Sequence, residues 1–126
     1  MSASHAPRVL IVEDEAMIAF MLEDLLTSAG FEIAGVATTL GPAMSLIETC
    51  NFDAAILDAN LVGVSSAPAA LALTARAIPF LVVSGYAPSQ QSAAYSAGLP
   101  VSKPFKSKAL IDALRSILPA FKSLPT

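Results

Sequence analysis

The sequence predicts an α/β domain built on a five-stranded parallel sheet, doubly wound, with helices on both faces. Three observations lead there. Five short apolar runs recur along 126 residues, a stretch of helical periodicity or a turn-rich segment separates each from the next, and the runs are apolar throughout rather than alternating. Alternation marks a sheet wetted on one side, whereas unbroken Val/Ile/Leu runs mark strands covered on both. Strands separated by helices imply right-handed crossovers in a single sheet.

Val9-Leu10-Ile11-Val12 is the first such run and ends in Glu13-Asp14-Glu15. Ile18, Met21, Leu22, Leu25 and Leu26 then fall on one expected inward stripe, and Ala29-Gly30 stops that helix. Ile33 to Ala37 reads as the second strand, followed by a helix with Pro42 in its first turn and Ala43, Leu46 and Ile47 inward. Ala54-Ala55-Ile56-Leu57 is the third strand, with Asp58 at its exit. Ser65 to Ala77 is expected to be helical, though built of little besides alanine, leucine and serine. Phe80-Leu81-Val82-Val83 leaves through Ser84-Gly85-Tyr86. Pro88 to Ala97 is serine- and glutamine-rich and short of apolar anchors, so a fourth helix there is weak, a mobile loop equally consistent. Pro100-Val101-Ser102 is the last strand. A closing helix carries Leu110, Ala113, Leu114, Ile117 and Leu118 on one face, with Pro119 ending it.

Composition narrows the function. A net charge of −3 disfavours a nucleic-acid surface, which is basic in patches. No apolar stretch reaches the roughly 20 residues of a membrane span, and Met1 to Arg8 lacks a signal-peptide run, so a cytoplasmic protein is expected. The one cysteine, Cys50, has no internal partner and reads as a buried bystander. Charge is unevenly placed: nine of ten acidic residues lie at or before Asp58, five of seven basic ones at or after Lys103, and only Arg76 between. The neutral region Ala59 to Ser102 is either a surface for a partner or a second copy, as in a homodimer, or alanine that simply packs.

Ligands of an open parallel sheet bind beyond the carboxyl ends of its strands. Glu13 and Asp14 follow the first strand, Asp58 the third, Ser84 the fourth and Lys103 the fifth. Three carboxylates repel unless a cation joins them. Oxygen ligands without clustered histidine or cysteine suit a hard ion such as Mg²⁺, which keeps waters and accepts phosphate oxygens. Lys103 adds a compact ammonium, Ser84 a short hydroxyl, and an aspartate can form an acyl phosphate. Taken singly, each has a plainer reading: first-turn helix acids, a turn or cap aspartate, an ordinary Ser-Gly turn, a loop lysine. Their joint order at successive strand exits favours chemistry.

From Arg8 to Leu118 the chain resembles a response-regulator receiver, with the flavodoxin/CheY-like fold. Glu13-Asp14, the Asp58-Ala59-Asn60-Leu61 turn, Ser84-Gly85 and Lys103-Pro104-Phe105 are similar to that family's markers in order. The resemblance implies that Glu13, Asp14, Asp58 and the backbone carbonyl of Asn60 hold Mg²⁺. It also implies that Asp58 is the phosphoacceptor, Ser84 the switch hydroxyl and Lys103 the phosphate partner. The run from Pro79 to Tyr86, with Leu99-Pro100 later, is similar to the subgroup nicknamed FATGUY, common in alphaproteobacteria and often short of a firm fourth helix. One departure stands out. Many receivers carry a rotating aromatic three residues before the lysine, and here that position is Pro100. Either Tyr86 takes that switch role, or output travels through the loop after Ser84.

Two other classes fit less well. A haloacid-dehalogenase-type phosphatase places its nucleophile after the first strand in an Asp-x-Asp pair, whereas Asp58 follows the third and has Asn60 two residues on. A flavodoxin-like cofactor binder needs a glycine-rich cradle after the first strand, and none is there. A receiver-like scaffold that is never phosphorylated remains the third alternative. The expectation is one receiver domain over residues 1–126, with a core at about 8–118 and short tails. Its donor would be a sensor histidine kinase or histidine phosphotransfer protein. Its output would be contact with a downstream protein, without direct binding of nucleic acid or membrane.

Overall fold

The computed structural model describes residues 6–85 and 93–118. Its order is β1 (Arg8–Val12), α1 (Ala16–Ser28), β2 (Glu32–Ala37), α2 (Leu40–Thr49), β3 (Ala54–Asp58), β4 (Asn60–Leu61), β5 (Val64–Ser65), α3 (Ala67–Ala75), β6 (Phe80–Ser84), a 3₁₀ turn (Ala93–Tyr95), β7 (Leu99–Ser102) and α4 (Ser107–Ser116). Five strands form one parallel sheet in the order β2-β1-β3-β6-β7. The chain winds from β1 outward to β2, then crosses back to build β3, β6 and β7 on the other side. That reversal opens a crevice at the carboxyl ends of β1 and β3.

Successive strand residues point to opposite faces, which divides the apolar residues into two cores. Leu10, Val12, Ala55, Leu57, Phe80 and Val82 pack with Ala43 and Ile47 of α2 and Ala69, Ala70 and Leu73 of α3. Val9, Ile11, Ala54, Ile56, Leu81 and Val83 pack with Leu22 and Leu26 of α1 and Leu110, Ile111 and Leu114 of α4. Every residue of β3 and β6 is buried. The unbroken apolar runs thus follow from sandwiching.

Some boundaries and faces differ from expectation. Met21, assigned to the inward stripe of α1, is 49% exposed, because the buried face centres on Ala19, Leu22 and Leu26. Met17 and Phe20 are more exposed still. The helix expected from Ser65 starts at Ala67, since Asn60–Leu61 and Val64–Ser65 pair as a small antiparallel hairpin. Its turn is Val62-Gly63, both at positive φ (51° and 78°), the arrangement that matches the twist of a two-residue hairpin. Glycine adopts that backbone freely, and a β-branched valine does so under strain. The last helix stops at Ser116 rather than reaching Pro119; residues before a proline resist helical backbone. Of the weak fourth helix, only the 3₁₀ turn lies among the described residues; Tyr86 and the stretch 86–92 lie outside them. Cys50 ends α2 half-buried, its thiol 4.0 Å from the Ala34 carbonyl. Among the described residues no helix is long and apolar enough to cross a membrane.

Candidate metal and phosphoryl site

Register sets the site. Val12 pairs with Leu57, Asp58 with Val83 and Ser84 with Ser102, so β1, β3, β6 and β7 finish along one rim. The residues just past them are held by backbone. Glu13 N–H donates to the Ala37 carbonyl at 3.0 Å, Ala59 N–H to Val83 at 3.0 Å, and Lys103 N–H to Ser84 at 2.9 Å. The Lys103–Pro104 peptide is cis.

Asp58 is 5% exposed and both its oxygens are engaged. Oδ1 accepts the Asn60 N–H at 3.1 Å, and Oδ2 accepts the Lys103 ammonium at 3.0 Å. The same ammonium stands 3.7 Å from Oε1 of Glu13, which is 2% exposed. Glu13 Oε2 accepts the Glu15 N–H at 3.1 Å, turning the carboxylate back over the rim. Asp14 takes the Val62 N–H at 2.8 Å and so ties the hairpin tip to the site. Carboxylate oxygens of Glu13, Asp14 and Asp58 all lie within 4.8 Å of one another.

Three carboxylates and one ammonium leave an excess of negative charge in a poorly hydrated place. Burial pushes the Glu13 carboxyl up to about 7, with the Asp58 charge adding to the rise and the Glu15 N–H and Lys103 opposing it. Burial also pulls Asp14 upward, but the Val62 N–H, the Glu13 side chain and Lys103 together outweigh it, and its carboxyl titrates below the usual range. Burial lowers Lys103, and the Asp58 and Glu13 carboxylates more than offset that, keeping it firmly cationic. An oxygen-only set with surplus charge fits a hard divalent cation, and soft or nitrogen-loving metals find no matching ligand in the cluster.

Of the residues singled out from sequence, Glu13, Asp14, Asp58 and Lys103 come together. Ser84 closes β6 beside them, 4% exposed. Asn60 presents its N–H to Asp58 while its side-chain oxygen accepts the Gly63 N–H at 2.8 Å, bracing the hairpin turn. Tyr86 lies outside the described residues. Sequence reasoning missed a buried hydroxyl cluster behind the rim: Ser66 Oγ donates to the Asp58 carbonyl at 2.5 Å and sits 2.9 Å from the Tyr95 hydroxyl. Tyr95 also reaches the Ala59 carbonyl at 2.9 Å and stands 3.4 Å from Ser65 Oγ. The available signal was a single large side chain, Tyr95, in a segment of alanine and serine.

A family model for the response regulator receiver domain matches residues 9–115. The chain belongs to that family. It is a receiver of two-component signalling, a family whose phosphorylation depends on Mg²⁺. The chemotaxis protein CheY of Thermotoga maritima is 39% identical over 54 residues, a match that spans 43% of this chain and 45% of that protein. The solution structure of SdrG from Sphingomonas melonis Fr1 is similar with a TM-score of 0.77 and 39% identity, covering 94% of this chain and 99% of that one. The receiver domain of PhyR from Erythrobacter litoralis gives 0.79 at 26% identity, covering 99% and 98%. Receivers bind Mg²⁺, and the Glu13-Asp14-Asp58 cluster of this receiver is suited to hold it.

Proposed function

We propose that this receiver accepts a phosphoryl group on Asp58 from the phosphohistidine of a sensor histidine kinase or histidine phosphotransfer protein. It then signals by binding a downstream protein. The observation that carries the reading is the Asp58 carboxylate, buried at the strand end and gripped by Lys103 and the Asn60 N–H inside an acidic cluster. In the forward step an Asp58 oxygen attacks phosphorus and forms a P–O bond. The P–N bond breaks with its electron pair leaving on the donor imidazole. Lys103 follows the negative charge from carboxylate to phosphoryl oxygen, and the Ser84 hydroxyl donates to another phosphoryl oxygen. Hydrolysis of the acyl phosphate by water returns the Asp58 carboxylate, the slow self-resetting step of the switch. The holders of Mg²⁺ are Glu13, Asp14, Asp58 and the Asn60 backbone carbonyl. When bound, the cation neutralises charge on the phosphoryl oxygens.

The donor is proposed to dock over α1. Met17 (82% exposed), Phe20 (72%) and Met21 (49%) form an apolar face there, and Ile18 and Met21 line a cavity of about 340 Å³ with Lys103, Pro104 and Phe105. An exposed apolar set of this kind beside a reactive carboxylate suits the apolar surface of a donor helix. Residues 1–126 hold one receiver domain in this proposal, acting in the cytoplasm; by the FATGUY resemblance, either Tyr86 takes the switch role or output travels through the loop after Ser84.

Incubation with Mg²⁺ and acetyl phosphate, followed by intact-mass measurement, gives one added phosphoryl group. Asp58→Asn abolishes it, and hydroxylamine removes it from the wild type. Persistence of the adduct in the variant would refute the assignment. Phe20→Asp slows transfer from a protein phosphodonor about tenfold or more, while acetyl phosphate labels it at the wild-type rate. Equal slowing with both donors would sink the docking face.

A further inference from the structure

We infer that Tyr95 is a positioning residue which, through a hydroxyl relay with Ser66, passes the state of the Asp58 loop to the turn before β7. The inference rests on Asp58 being the phosphoacceptor.

Ser66 is fully buried and Tyr95 is 7% exposed, so both hydroxyls are largely shielded from water. Two short contacts join them to the main chain, Ser66 to the Asp58 carbonyl and Tyr95 to the Ala59 carbonyl, and a third joins Ser66 to Tyr95. The two hydroxyls carry two protons between them. With Ser65, whose Oγ stands 3.4 Å from the Tyr95 hydroxyl, three protons serve four contacts, so one contact is always left without a proton. In one arrangement Ser66 donates to Asp58 and Tyr95 to Ala59. In the other Tyr95 donates to Ser66, and Ala59 keeps the Ser66 N–H at 3.2 Å. Ser66 donates to the Asp58 carbonyl in both, so the choice turns on the reach of the Tyr95 hydroxyl to the carbonyl of Ala59, the neighbour of the acceptor residue. A buried network with two proton arrangements can serve as a two-state element, biased by displacement of the 58–60 backbone.

The far end of the relay is coupled to the sheet. The Tyr95 side chain packs in the core beside α3, and its carbonyl accepts the Gly98 N–H at 2.9 Å. Gly98 lies against β6 so closely that a Cβ would stand 2.5 Å from Phe80 Cε2 and 2.6 Å from Val82 Cγ2. Residues 95–98 therefore form a short link between the hydroxyl and the start of β7. Pro100, where many receivers place a rotating aromatic, is locked in that strand. Tyr95 supplies a buried aromatic hydroxyl in contact with the acceptor loop from a different element.

The test compares wild type with Tyr95→Phe, which removes one oxygen and keeps the ring. Each is loaded with Mg²⁺ and beryllofluoride, and backbone amide shifts are followed by ¹⁵N NMR; acetyl phosphate labelling is read by mass in parallel. Tyr95→Phe is expected to take the phosphoryl group as the wild type does and to keep its shift changes at 59–67. At 93–99 those changes fall by about half or more. Ser66→Ala, which leaves the tyrosine untouched, gives the same loss and decides the matter if Tyr95→Phe does not fold. A full response at 93–99 in either folded variant overturns the relay, as does loss of the adduct itself in Tyr95→Phe. If the wild type takes no phosphoryl group, the acceptor reading falls first and the relay with it.

Discussion

The two ends of the sheet use the same kinds of residue to opposite effect. At the amino end, Arg8 donates its backbone N–H to Asp53 at 2.7 Å and its guanidinium to the Asn51 carbonyl at 2.9 Å. Nearby, Arg76 donates to the Ile47 carbonyl, and Arg8 stands 3.5 Å from the exposed Glu32 carboxylate. Two arginines and two carboxylates balance in number there, and most of them bind main-chain groups that pin chain crossings. At the carboxyl end, three carboxylates face one lysine, and burial pushes Glu13 up to about 7. Matched charges stabilise a fold. An unmatched, buried excess stores an affinity for something positive that arrives later.

That contrast can be broken experimentally, beginning with the largest effect. Asp53→Asn should leave phosphoryl uptake at the wild-type level, whereas Asp58→Asn removes it entirely; intact mass reads both. Any marked loss of labelling in Asp53→Asn would mean the amino end is not purely structural. Glu13→Gln relieves part of the charge excess while keeping an acceptor for the Glu15 N–H. It should weaken Mg²⁺ binding by roughly 10–100-fold, measured by calorimetry. The pH dependence follows from the same group. An unfolded glutamate titrates near 4.5 and native Glu13 at about 7, so the native state binds the extra proton between those values. The stability this contributes is complete below about 4.5 and is lost as pH rises through about 7. Without metal, urea midpoints of the wild type should fall across that window relative to Glu13→Gln, and Mg²⁺ should bind more tightly above it. Parallel pH profiles would contradict the buried-excess account.

Smaller effects sharpen the other side. Asp53→Ala removes the carboxylate that holds the Arg8 N–H and should cost about 1–2 kcal/mol in urea unfolding. Val62→Gly is expected to stabilise by about 0.5–1 kcal/mol, since valine at φ 51° carries a left-handed penalty that glycine lacks and glycine's greater unfolded freedom returns part of it. A loss of stability there would mean that the Val62 side chain makes a contact worth more than its backbone strain.

How much of this could be read without coordinates depends on distance along the chain. The sheet, its both-faces burial and the rim residues follow from apolar runs and what stands after each, because strand ends in a parallel sheet share an edge. Glu13, Asp14, Asp58 and Lys103 were legible on that ground alone. The hairpin of residues 60–65 was not, since two-residue strands leave no periodicity, and its clue was only Gly63 in a turn. Met21 was assigned to the wrong face because an apolar side chain beside a stripe is indistinguishable from one within it. Whether the alanines of α3 pack or face a partner was undecidable from composition; Ala69 and Ala70 are fully buried, and Leu71 is 56% exposed. The Ser66–Tyr95 contact joins residues 29 apart through side-chain geometry, which no local pattern encodes.

The five buried residues of β3 have a mechanical consequence. The strand lies between β1 and β6 under helices on both sides, in an interior too dense to yield. A group attached at its tip cannot push the strand backwards. Strain arising there is directed forward and sideways, into the 59–65 hairpin, the Ser84 and Lys103 connections and the hydroxyls behind them, so a strand buried along its whole length decides which parts are free to speak.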